Sequence, residues 1–158
     1  MIDVETLVDH VRAYNPKANV DLISRAYAYG KQKHVNQKRH SGEPYFSHPI
    51  EVAIILAGQK LDDDTIVTAL LHDTLEDTDA TFKEVTELFG LEIAQLIDGV
   101  TKLTNLELSS VQAKQAENFR KLLLAMSQDL RVLLVKLGDR LHNMRTIKHM
   151  RPEKQLSK

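Results

Sequence analysis

Several polar side chains of this sequence fall where the surrounding pattern demands burial. His72-Asp73 directly follows Ala69-Leu70-Leu71. Asp139 follows Leu130, Val132, Leu133, Leu134, Val135 and Leu137, a segment with little solvent face. A carboxylate in such a place is costly unless a cation, a metal or hydrogen bonds compensate it. Four residues beyond His72-Asp73 stand Glu76 and Asp77, and residues i and i+4 of a helix share a face about 5.4 Å apart along its axis. A His-Asp pair one turn from a second carboxylate pair suits metal ligation beside a group that orients or deprotonates water. Asp139 can complete such a site. It lies on a polar stripe with Lys136, Asn143 and Thr146, which can meet a ligand. His48 follows a Gly-Glu-Pro-Tyr loop, and Arg39 and Ser41 on that loop suit a phosphate or a base edge.

Each piece alone has a plainer reading. A single His-Asp dipeptide is weak evidence of metal. Asp139 beside Arg140 fits an internal ion pair, and the stretch from Lys38 to Pro44 has the composition of solvated surface. His142 and His149 read as packing or surface residues; His10, His34 and His40 read as exposed, with a ligand role left open for His40. The joint occurrence of the pieces in an apolar, helical sequence favours one site.

The elements that must carry them are helical. The spacing predicts a first helix through Leu7, Val8, Val11 and Tyr14, ended by Asn15-Pro16, and a second from about Val20 to His34. A polar loop spans Asn36 to Tyr45, and a short helix runs from His48-Pro49 through Leu56. Asp62, Asp63 and Asp64 form the capped start of a buried helix that includes Leu75. Thr81 with Glu84 resembles a capping box for a helix ending near Gly90. Further helices are expected over Ile93–Val100, Val111–Met126 and Asp129–His149, with Thr101–Ser110 less regular. The expectation is an all-α compact bundle of about eight helices in one domain, residues 1–158.

Composition narrows the chemistry. The 158 residues are 42% hydrophobic and 27% charged, an ordinary soluble balance. A formal net charge of -1 gives no electrostatic reason to expect nucleic acid or an anionic membrane. There are no cysteines, so any metal must sit on His, Asp, Glu and water. No stretch approaches the roughly 20 apolar residues that span a bilayer, and the acidic start is unlike a signal peptide; a cytoplasmic protein is the plain expectation.

Arg39 through Pro49 (RHSGEPYFSHP), Leu70 through Thr78 (LLHDTLEDT), Asp98 through Leu103 (DGVTKL) and Val135 through Thr146 (VKLGDRLHNMRT) resemble the signature blocks of RelA/SpoT hydrolase domains, in matching order over residues 20–150. The resemblance implies an HD-type, Mn2+-dependent 3′-pyrophosphohydrolase that cleaves guanosine tetra- and pentaphosphate to GDP or GTP plus pyrophosphate. It implies metal ligation by His48, His72, Asp73 and Asp139, and water activation by Glu76 and Asp77. Arg39, Ser41, Asn143 and Thr146 match positions of the guanosine pocket, and Tyr45 and Lys102 are grouped with them as motif residues.

Two departures stand out: His40 where some members carry Lys, and Gly138 in place of an alanine before Asp139, which is expected to loosen that helix. The alternatives are a non-catalytic nucleotide-binding module and an HD phosphohydrolase for another 3′-phosphorylated nucleotide or NADPH. The family domain normally continues past residue 158. An apolar face around Leu141, Met144 and Ile147 is therefore expected to be exposed and to self-associate.

Overall fold

The computed structural model describes residues 1–110 and 129–146. Among the described residues, seven helices and one single helical turn make an all-α bundle: α1 (Val4–Tyr14), α2 (Val20–Lys33), α3 (Ser47–Gly58), α4 (Asp63–Leu71), the turn α5 (Thr74–Asp77), α6 (Phe82–Phe89), α7 (Leu91–Ser110) and α8 (Leu130–Arg145). Side-chain caps start most of them. Asp3 accepts from the Thr6 amide, Asn19 from Leu22, Asp62 from Thr65, Thr81 from Glu84 and Asp129 from Arg131, each satisfying a donor that the helix leaves open. Gly90 ends α6 at φ 98°, a conformation that favours glycine.

The apolar composition of α4 puts it at the centre. Ile66, Val67, Ala69, Leu70 and Leu71 are fully buried, and α4 lies against α2, α3, α7 and α8. Gly30 of α2 makes part of this packing possible. A β-carbon there would collide with the Phe46 ring and come within 3.3 Å of the Leu70 carbonyl oxygen. Gly30→Ala is therefore expected to destabilise the fold by about 1–3 kcal/mol, the usual cost of overpacking. A urea midpoint equal to that of the parent chain would contradict this.

Two expectations about helices need correction. The helix starting at Asp62-Asp63-Asp64 does not continue through Leu75: it stops at Leu71, and α5 begins at Thr74. Side chains take over backbone acceptors at the break, as the His72 ring bonds the Ala69 carbonyl and the Thr74 hydroxyl donates to the Leu71 carbonyl, both at 2.7 Å. The segment Leu91–Ser110 is one helix, so Thr101–Ser110 continues the helix expected to end at Val100. The last helix ends at Arg145, with Thr146 as its cap. The helix expected over Val111–Met126, and the end of the last one at His149, lie outside the described residues.

Candidate metal centre

The break between α4 and α5 places His72 and Asp73 at the bundle centre, opposite the start of α3 and the middle of α8. His48 comes from the first turn of α3 and Asp139 from the third turn of α8. Gly138 allows α8 to approach α3 closely, since an added β-carbon would stand 3.3 Å from both Val52 and Leu56. The glycine expected to loosen α8 thus sits at a tight helix–helix contact.

Ligand atoms of His48, His72, Asp73 and Asp139 all lie within 4.8 Å of one another. His48 Nε2 is 2.5 Å from Asp139 Oδ1, and His72 Nε2 is 3.1 Å from Asp73 Oδ2 and 3.3 Å from Asp139 Oδ1. His48, His72 and Asp139 are buried. Burial would raise the carboxyls of Asp73 and Asp139, but the adjacent imidazoles outweigh it and hold both below the ordinary range. Burial disfavours the charged form of His72 too, yet Asp73 and Asp139 together lift its pKa well above 6.5. Two imidazoles and two ionised carboxylates converging on one point form a donor set that fits a divalent cation.

Neighbouring groups hold these four in place. The Tyr45 hydroxyl donates to Asp73 Oδ2 at 2.7 Å, and Lys136 Nζ reaches Asp139 Oδ2 at 3.0 Å and Thr104 Oγ1 at 3.1 Å. Tyr45, grouped from the sequence with the nucleotide pocket, is thus tied to Asp73. Asp139 pairs with buried Lys136 and with the imidazoles.

Glu76 and Asp77 stand on α5 with exposed side chains, and the Asp77 amide donates to the Asp73 carbonyl at 2.9 Å. Partial burial, then the charges of Asp77 and Asp73, raise the Glu76 pKa. Asp77 is raised by partial burial and by Asp73. A raised carboxyl takes up a proton more readily than an ordinary surface one.

Arg39 Nη2 donates to Asn143 Oδ1 at 3.1 Å and to Thr146 Oγ1 at 3.2 Å. This links the loop before α3 to the end of α8, and the Arg39 guanidinium lies 6.0 Å from the Tyr45 ring centre. Gly42 turns the loop at φ 90°, aided by the Arg39 amide donating to the Glu43 carbonyl and the Gly42 amide to that of Arg39, both at 2.9 Å. Ser41 sits at the exposed tip, where its Oγ accepts from the Glu43 amide at 3.4 Å. Lys102 is not gathered with this group. It pairs with Asp98 at 2.9 Å on the wall of a cleft of about 500 Å³ that Arg131 and Asp129 also line.

One histidine departs from expectation, and a second takes an unforeseen partner. His34, read as exposed, is 1% exposed; its Nδ1 bonds Gln37 Oε1 at 2.9 Å and its ring lies 4.9 Å from that of Tyr45. His142, read as packing or surface, is buried with Nδ1 2.7 Å from His48 Nδ1. Its spacing of three residues from Asp139 was the available signal, since that interval returns to the same helix face. His40 is exposed, as read.

The family model of the HD domain matches residues 26–158. The chain belongs to the HD domain family, and within it to the RelA/SpoT type. It is 60% identical over 150 residues to a GTP pyrophosphokinase rsh of Brucella ovis, covering 95% of this chain and 20% of the relative. To the bifunctional (p)ppGpp synthase/hydrolase SpoT of Escherichia coli K12 it is 47% identical over 151 residues, covering 96% and 22%. A solved structure described as a metazoan ortholog of SpoT that hydrolyzes ppGpp superposes with a TM-score of 0.65 at 26% identity, over 84% of this chain and 76% of that one. The chain spans about a fifth of the length of the curated relatives it matches.

Proposed function

We propose that this chain is a Mn2+-dependent 3′-pyrophosphohydrolase of guanosine tetra- and pentaphosphate, working in a cytoplasmic setting. The observation that carries the reading is the convergence of ligand atoms of His48, His72, Asp73 and Asp139 within 4.8 Å of one another. The names of the relatives favour the substrate: one of Escherichia coli O157:H7, 47% identical, is a guanosine-3′,5′-bis(diphosphate) 3′-pyrophosphohydrolase.

On this reading the four residues hold one divalent ion, which supplies Lewis acidity for phosphoester hydrolysis. Glu76 or Asp77 takes a proton from the attacking water. The bond between the 3′-oxygen and phosphorus breaks, the 3′-oxygen takes up a proton, and pyrophosphate leaves. Arg39, Ser41, Asn143 and Thr146 hold the nucleotide. Arg39 already lies against Asn143 and Thr146, so its guanidinium is ordered before a ligand arrives. We retain Lys102 only as a weaker contact, given its pairing with Asp98.

The test is purified chain with Mn2+ against guanosine tetraphosphate, GTP, and NADPH. Release of pyrophosphate from the first alone supports the assignment. Faster turnover of NADPH would favour an HD hydrolase of other specificity, and binding of guanosine tetraphosphate without turnover a non-catalytic module. Arg39→Ala should raise KM several-fold and leave metal content unchanged, because it removes contacts to the ligand and none to the four converging residues. Wild-type KM would remove Arg39 from the pocket.

Leu130, Leu137, Leu141 and Met144 lie exposed on α8; Ile147 is outside the described residues. We propose that this apolar face supports self-association. Light scattering should show oligomers that dissociate in Leu141→Glu; a monomer at all concentrations would rule this out.

A further inference from the structure

The two imidazoles of the cluster are oriented in different ways. His72 uses Nδ1 on the Ala69 carbonyl at 2.7 Å, a backbone acceptor that leaves Nε2 for the cluster. The corresponding nitrogen of His48 meets a second imidazole instead, that of His142, at 2.7 Å. The ring centres lie 4.9 Å apart and the planes are inclined by 28°, so the rings meet edge to edge through these nitrogens. Both side chains are buried, His48 at 1% and His142 at 8% exposure, so the contact is sheltered from competing water. One proton can lie between two Nδ1 atoms. Which ring carries it fixes the tautomer of both.

We propose that His142 is a positioning residue that sets the tautomer and ring orientation of His48. The proposal rests on His48 being a metal ligand through Nε2. For that nitrogen to offer its lone pair, a neutral His48 must carry its proton on Nδ1. That proton is then donated to His142 Nδ1, which must be an acceptor, so neutral His142 carries its own proton on Nε2. The proton on His48 Nε2, 2.5 Å from Asp139 Oδ1, then leaves to solvent and His142 Nε2 takes one up, so the pair keeps its net charge. A ligating imidazole ordinarily donates its second N–H to a carboxylate, a carbonyl or water, and loss of such a partner typically costs 10–100-fold in metal affinity. A histidine in that place works only in one of its two neutral tautomers, which a carbonyl acceptor never demands.

The test compares Mn2+ affinity, by competition with a chromophoric chelator, in the parent chain, His142→Leu and His142→Asn. Leu fills space without an acceptor, whereas Asn can present Oδ1 near the place of Nδ1. His142→Leu should lose about 10–100-fold in affinity, and His142→Asn should recover most of it. Side-chain 15N spectra of the parent chain loaded with diamagnetic Zn2+ should show His142 protonated on Nε2 and unprotonated on Nδ1, a readout that needs no variant to fold. Unchanged affinity in a folded His142→Leu, or a proton on His142 Nδ1 in the loaded chain, would overturn the proposal. A parent chain that binds no divalent metal would instead overturn the metal-centre reading beneath it.

Discussion

Asp139→Ala is expected to strip the chain of its divalent metal, with affinity falling by more than the roughly 10–100-fold that loss of an outer-shell partner costs. Asp139 is the hub of the cluster: one oxygen faces His48 and His72, the other Lys136. Removing it takes one oxygen donor from the cluster and leaves buried Lys136 without that carboxylate. Breaking a buried pair from one side costs about 3–5 kcal/mol, so the variant should also unfold at lower urea. Asp139→Asn keeps the shape and separates lost charge from lost packing. Metal analysis after gentle purification is the measurement, with His72→Ala and Asp73→Ala alongside. Parent-level metal in all three variants would remove these residues from the site.

Glu76→Gln and Asp77→Asn should divide binding from chemistry. Both side chains are exposed on α5 and lie outside the group of four converging side chains. Metal content should therefore stay near that of the parent chain. Turnover should fall by about 10²-fold or more, the scale of lost acid–base assistance. The raised pKa of each carboxyl is what makes the pair suited to accepting a proton. Parent rates in both variants would show that water is activated without them.

The helices were legible in the sequence because period and caps agreed: Asp62, Thr81 and Asp129 all start helices as their spacing implied. The break at His72-Asp73 was not, because an apolar run ending in His-Asp-Thr reads as continuous helix. Only the tertiary fold shows His72 and Thr74 bonding the carbonyls behind them. Asp139 was noticeable as a carboxylate in an apolar segment. His142 shares a helix face with Asp139 by its spacing of three, yet a histidine at a buried helical position is chemically ordinary until its neighbour is known. His34 escaped for the same reason: its partners Gln37 and Tyr45 belong to a loop that composition marks only as polar. Gly138 needed coordinates too, because its value lies in the approach of Val52 and Leu56.

Metal-dependent hydrolysis at the 3′-position is the function proposed for these residues together. It is tested most directly by following guanosine tetraphosphate in 18O-labelled water with the purified chain, with Mn2+ and again after chelation. GDP and pyrophosphate should form in equal amounts, with one label per pyrophosphate and none in GDP, and both should be lost on chelation and restored by Mn2+. Orthophosphate as the first product, label in the 3′-oxygen of GDP, or turnover indifferent to the chelator would contradict it.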